Sequence, residues 1–469
     1  MDVLLSAVAS DVIGRLVSFL ISKYQEPSAT ADAAAKLQRA LLRARAVVEE
    51  AEGRQIANRA MLLQLSQLRR ELCRGAYTLD AFRWRAADPI LAITGVAAAV
   101  ESLEAALGDV RELVVLLGAC PPRVTRRQPY CAYLFMESCM FGRQMEKEQL
   151  VSFLLQPPAQ DLLAVLPIIG AHDVGKRTLV EHVCLDERVR GHFTWIHRLG
   201  SDDLDRDHEQ HDSSLMDDAT TARSLFVVDL ADGEDAWRRF LLSMSRRESR
   251  ESKVVIISRT ERHSALGTVP PLRLLPPRRE ELWYLFRGLA FGGADPEDRP
   301  DLARIAVALF EGFMLLDVSP FTTVSNLAAT LRSDMTARAW RRVLNVSAAT
   351  TVFLPDHSSH TGGEIDNLPE FCFLCRPVRG DACRSTPFLF CDRRKSTTRG
   401  DHGELPRVTL LELVTGRAAV DVGETRFDVL VWRSRIPPYA SYVVACDVER
   451  ARRVVVAGEK RVRKRRRGQ

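Results

Sequence analysis

Apolar residues recur at steps of three and four through the first quarter of the chain. Leu5, Val8, Val12, Leu16 and Phe19 form one stripe, and Leu37, Leu41, Ala44 and Val48 form a second after Ser28 and Thr30. Leu65, Leu68, Leu72 and Leu79 make a third. Val96, Val100, Leu103, Leu107, Val110, Val114 and Leu117 make a fourth, with Asp88-Pro89 breaking the chain between the two. This spacing predicts amphipathic helices, and four of them joined by short links bury their stripes most simply as an antiparallel bundle. Such a bundle either packs only upon itself or presents a face to a partner or a second copy.

The pattern changes beyond the basic, proline-broken stretch Cys120-Pro-Pro-Arg-Val-Thr-Arg-Arg127, which reads as a linker. A turn and a helix are predicted over Cys139 to Leu155. Short runs rich in Val and Ile follow: Leu163 to Ile169, Phe193 to Leu199, Ser224 to Asp229 and Lys253 to Ser258. Separated by helical stretches, they predict a parallel sheet wrapped by helices. The polar, acidic segment from Ser201 to Asp218 reads as a surface loop.

The first strand feeds the chemistry. Gly170-Ala-His-Asp-Val-Gly-Lys176 matches most of G-x-x-x-x-G-K-[ST], in which loop N–H groups and a helix N-terminus cradle phosphates. Arg177 stands where a Ser or Thr should offer its hydroxyl to Mg²⁺. Thr178 lies about 100° further round the helix. Phosphate binding is therefore expected, and metal-assisted hydrolysis is weakened. Asp229 ends an apolar strand, as the acidic residue of a P-loop site must, but Leu230 follows it, so no second carboxylate stands there to orient water. Arg259, after the fourth strand, is placed to meet a terminal phosphate or simply to open a surface loop.

Helical periodicity returns from about Arg278 to Leu344. Residues 346 to 400 are rich in Ser, Thr, Gly, Asp and Pro and read as loop or disorder. Val408 to Val414 and Phe427 to Trp432 look like strands that pair. Cys372, Cys375, Cys383 and Cys391 are either a four-thiolate zinc set or small apolar residues. The tail Glu459 to Arg467 is a dense cationic run, suited to nuclear import, to nucleic-acid or anionic-membrane contact, or to solubilising disorder.

Composition adds limits. With 469 residues, roughly three domains are expected. The net charge of +5 is small and concentrated in the tail, which argues against a nucleic-acid binder in the body. Ten cysteines without a signal peptide point to reduced thiols in a cytoplasmic protein, with nuclear entry through the tail. No G-x-S-x-G elbow, H-E-x-x-H or G-x-G-x-x-G pattern supports hydrolase, zinc-protease or dinucleotide chemistry.

Phe141-Gly-Arg143, the loop Gly170 to Lys176, Leu225-Phe-Val-Val-Asp229 and Lys253-Val-Val-Ile-Ile-Ser-Arg259, behind a helical bundle, together resemble the NB-ARC module of plant intracellular immune receptors. Leu68 to Phe82 is similar to the third helix of their coiled-coil domain. The resemblance covers roughly residues 1 to 345 and implies an ADP/ATP switch. Phe141, Gly142 and Arg143 would lie near the adenine, while Gly170, Asp173, Val174, Gly175, Lys176, Arg177 and Thr178 would hold phosphates. Asp229 would serve Mg²⁺, and Arg259 would sense the γ-phosphate. Against the family pattern, Gly312-Phe-Met-Leu315 lacks the proline of the Gly-Leu-Pro-Leu turn, and neither a Met-His-Asp motif nor leucine-rich repeats are found. The chain is similar to truncated bundle-plus-NB-ARC proteins of grasses, whose C-terminal signature Trp432 to Tyr442 resembles.

The expected architecture is therefore an α/β protein. It has a helical bundle over 1–120, a linker over 121–138 and a P-loop domain over 139–277. A helical ARC1-like subdomain follows over 278–345, then an irregular region with short strands and a basic tail over 346–469. The expected function is an ADP- or ATP-binding signalling protein of plant defence with little or no hydrolysis, acting through protein partners or self-association. The alternative is a nucleotide-independent adaptor that pairs with full-length receptors.

Overall fold

The computed structural model describes residues 31–84, 89–121, 140–157, 163–200, 223–230, 237, 238, 240, 241, 252–314, 320–348, 350–353, 372–375, 388–396, 406, 408–414, 425–449 and 451. The Leu5 to Phe19 stripe, the acidic 201–218 segment, Cys383 and the cationic tail lie outside these residues. The chain divides into two compact units, Met1–Gln128 and Pro129–Gln469.

In the first unit, helices run over residues 31–52, Arg59–Trp84, Pro89–Asp109 and Arg111–Leu117. Leu37, Ala40 and Ala44 of the first helix, Leu65, Leu68 and Leu72 of the second and Leu103 of the third are all buried. Gly75 lets helices approach: a Cβ there would lie 3.1 Å from Leu41. Asn58 caps the second helix by accepting from the N–H groups of Ala60 and Met61, satisfying donors that the first turn leaves open. The fourth apolar stripe is split, because the chain turns at Val110 before resuming as a short helix.

The second unit contains a five-stranded parallel sheet in the order β2-β3-β4-β1-β5. Its strands are β1 (Ala164–Gly170), β2 (Trp195–Gly200), β3 (Ser224–Asp229), β4 (Lys253–Ser258) and β5 (Leu272–Leu274). The central strands are buried on both faces. Ile168, Val227 and Ile257 pack with Leu150, Leu179 and Val183 on one side, and Val165, Phe226 and Ile256 pack with Trp237 and Phe240 on the other. This two-sided burial is why their sequences are continuous apolar runs rather than alternating ones. β2 lies at the edge and alternates, leaving Trp195 exposed. Pro167 is tolerated within β1 because it precedes the register shared with β5, which begins at Ile168.

Helices Arg279–Phe291, Pro300–Met314, Pro320–Ser333 and Ala337–Ala348 follow. Trp283, Phe286 and Phe310 cluster at their centre, and the Trp340 indole N–H donates to the carbonyls of Leu331 and Asp334 at a helix end. Gly312 and Phe313 lie inside a helix rather than in the turn that the resemblance implied.

Where loop or disorder was expected over residues 346 to 400, the structure builds strands, and the strand expected over Phe427 to Trp432 forms beyond them. β6 (Thr350–Phe353), β7 (Cys372–Cys375), β8 (Phe388–Ser396), β9 (Arg426–Arg433) and β10 (Ser441–Asp447) form an antiparallel sheet in the order β6-β7-β8-β10-β9. The polar composition of residues 346–400 hid the first of these strands. The strand expected over Val408 to Val414 is instead a bridge at Thr409 and a helix over Leu410–Val414, started by Glu412 accepting from the Thr409 N–H and hydroxyl. Leu413 then packs with Phe390, Val429 and Val444. Cys372 and Cys391 occupy opposite positions in the β7–β8 register.

Candidate functional site

β1 ends at Gly170, where a Cβ would stand 2.6 Å from the Leu274 carbonyl oxygen, so only glycine permits β5 to lie this close. The chain then turns through Asp173, at φ +55°, and Gly175, at φ +93°, and enters the helix Lys176–Cys184. Left-handed residues in a loop that enters a helix N-terminus are the backbone conformation of an anion-holding nest.

Lys176 closes the loop from inside. Its ammonium donates to the carbonyl oxygens of Gly170 at 2.7 Å and Ala171 at 2.6 Å. Burial pushes this ammonium down to about 8, and Arg259 and Arg177 act in the same direction, while Asp229 and Asp173 oppose them.

Because β4 lies between β1 and β3, the phosphate loop, Arg259 and Asp229 emerge side by side at the carboxyl edge of the sheet. Ligands of open α/β sheets sit at this edge. A cavity of about 610 Å³ opens here and is lined by Phe141, Arg143, Asp173, Val174, Gly175, Lys176, Arg177, Thr178, Asp229 and Arg259. Gly142 takes a left-handed turn, at φ +74°, between Phe141 and Arg143. Ten of the expected site residues thus border one space, with Gly142 and Gly170 shaping its walls.

Two side chains act differently from the expectation. The Arg143 guanidinium is buried and donates to the carbonyls of Val174, at 3.3 Å, and Leu275, and it pairs with Glu146 at 3.1 Å. It clamps the loop backbone to the segment after β5. Arg177 pairs through Nε with Asp229 Oδ2. The Mg²⁺ role expected of Asp229 fits poorly with this donor set: the loop hydroxyl is missing and the carboxylate already holds a guanidinium. A cation sharing the carboxylate would meet that guanidinium with a repulsion of about 4 kcal/mol per unit charge at ~4 Å near a protein surface.

The sequence reading missed half of the cavity wall. Leu285, Leu289, Phe321, Thr322 and Ser325 from the helices form one side, and Phe141 stacks on Tyr284 with ring centroids 6.2 Å apart. The β9–β10 hairpin closes another side with Trp432, Ser434, Ile436, Pro438, Ala440 and Tyr442. Tyr442 tilts against Trp432, with centroids 5.5 Å apart. The stretch Trp432 to Tyr442, which resembles a C-terminal signature of grass proteins, therefore borders the cavity. The continuous apolar run Tyr442-Val-Val-Ala-Cys446 was the available clue to the strand.

No helix among the described residues is long and apolar enough to cross a membrane. Residues 8–113 match the family model described as the Rx N-terminal domain. The chain is 29% identical over 196 residues to the disease resistance protein RGA2 of Solanum bulbocastanum, covering 36% of this chain and 20% of that protein. It is 27% identical over 216 residues to the putative disease resistance protein RGA4 of the same species, covering 39% and 21%. It is 24% identical over 237 residues to the putative disease resistance RPP13-like protein 1 of Arabidopsis thaliana, covering 45% and 22%. The chain thus spans about a fifth of the length of these curated relatives. A solved structure of Drosophila ORC bound to DNA overlaps 51% of this chain and 68% of its own at 14% identity, with a TM-score of 0.28, too low to carry a common fold. In its N-terminal helices and over a third or more of its length, the chain is similar to plant disease resistance proteins of the coiled-coil, NB-ARC type.

Proposed function

We propose that this chain is a nucleotide-binding signalling protein of plant defence, in which the loop Gly170–Lys176 holds the phosphates of ADP or ATP and turnover is slow or absent. The observation that carries the reading is the convergence of the loop residues Asp173 to Gly175 with Lys176, Arg177 and Arg259 on one cavity at the carboxyl edge of a parallel sheet. Three cations face the carboxylates of Asp173 and Asp229, so the site favours a ligand with several negative charges. The apolar wall of Phe141, Leu285, Leu289 and Phe321 suits a flat, weakly polar base. Leu230 follows Asp229, and Asp229 is engaged by Arg177, so this strand end offers no second carboxylate to orient water.

The N-terminal helices serve as the protein-binding or self-associating part, a role supported by their match to the Rx N-terminal domain. The cationic tail offers a nuclear-import signal or an anionic contact. Labelled ADP titrated against the full chain and against Lys176→Ala tests the central claim. Binding by the parent chain that the substitution weakens strongly supports it. Equal, negligible binding by both leaves the adaptor reading, in which the P-loop region is a scaffold.

A further inference from the structure

In a phosphate loop that uses a metal, the ion takes a hydroxyl from the residue after the lysine and shares the shell of the strand-end carboxylate. Here the first position is Arg177, and its Nε donates to the second, Asp229 Oδ2. The two side chains remain partly open, 47% and 29% exposed, so the pair faces the cavity rather than the core. Only Nε of the Arg177 guanidinium is bonded among the described residues, which leaves its terminal N–H groups for an anion. A guanidinium is permanently charged and presents a fork that matches phosphate oxygens. Asp229 aims this fork much as it would otherwise aim a metal's water shell.

We infer that this site takes its diphosphate-bearing ligand without a divalent metal, the Arg177 guanidinium held by Asp229 standing in the ion's place. The inference rests on the nucleotide reading above and specifies what that site requires. Arg259 lines the same cavity and adds a second permanent charge, so oxygens beyond the loop are met by side chains rather than by an ion.

The test is a titration of the full chain with fluorescently labelled ADP, once with excess MgCl₂ and once with excess EDTA. The affinities are expected to agree within about twofold, and tightening of about tenfold or more by Mg²⁺ would overturn the inference. Arg177→Thr restores the loop hydroxyl. It is expected to bind more weakly in EDTA and to recover at least about tenfold with Mg²⁺, whereas identical affinities in both buffers would count against the substitution of ion by guanidinium. Absence of ADP binding by the parent chain in both buffers overturns the nucleotide reading itself, whereas binding that needs Mg²⁺ overturns only this inference.

Discussion

The Tyr442 hydroxyl lies 3.5 Å from Asp173 Oδ1, joining the C-terminal sheet to the phosphate loop across 269 residues of sequence. At that separation the bond is at its outer limit, so the ring's packing against Trp432 contributes more than the hydroxyl does.

Tyr442→Phe should therefore leave ADP release nearly unchanged. Tyr442→Ala removes an aromatic contact of about 0.5–1.5 kcal/mol and should speed release roughly two- to tenfold by opening that wall of the cavity. Stopped-flow displacement of labelled ADP reads both. Equal rates for Ala and the parent chain would show that the hairpin does not retain the ligand.

Ligand affinity should depend on pH through Lys176. Its ammonium is depressed from 10.5 to about 8, so the charged form that attracts phosphate is lost as pH rises through about 8 rather than near 10.5. ADP affinity is expected to fall between pH 7 and pH 9, and binding above about 8 should take up a proton. Isothermal titration in buffers of different ionisation enthalpy measures that uptake, and Lys176→Ala should abolish the dependence.

The loop glycines should not tolerate a methyl group. Gly170→Ala drives a Cβ into the Leu274 carbonyl, which should cost about 1–3 kcal/mol of stability. Gly175 has open space around it but φ +93°, so Gly175→Ala should cost about 1–2 kcal/mol and distort the anion cup. Urea unfolding gives the first effect, and ADP binding by the still-folded Gly175→Ala protein gives the second.

Lys253 is buried at the opposite end of β4, donating to the carbonyls of Phe153 and Gln156 at the end of the helix Gln144–Leu155, with its ammonium 5.0 Å from the Phe153 ring centroid. Lys253→Met should cost about 1–3 kcal/mol by leaving those carbonyls unpaired. Burial lowers this ammonium to about 8. Between pH 8 and 10.5 the unfolded chain then holds more protons than the folded one, so the Lys253 contribution to stability rises with pH across that window. Urea midpoints of the parent and Lys253→Met proteins at pH 7.5 and pH 10 should diverge in that direction.

Much of the parallel sheet was readable because strands buried on both faces must carry continuous apolar runs, as Val254 to Ile257 does. β5 was not, because Leu272–Leu274 is three residues long and is placed by β1 rather than by its own pattern. The β6–β8 strands were hidden by the polar composition around them. Arg143 was legible as a site residue but not as a clamp, since its acceptors are backbone carbonyls of Val174 and Leu275, which no sequence pattern marks.

The sequence by itself determined the helical start, the glycine positions of an anion cup and the absence of a hydroxyl after Lys176, because local backbone demands and side-chain chemistry are written residue by residue. Tertiary structure decided that Arg177 closes on Asp229 and that Tyr442 reaches Asp173. Those contacts depend on which strand ends become neighbours when the two sheets fold, and that neighbourhood is set by long-range packing rather than by any local pattern.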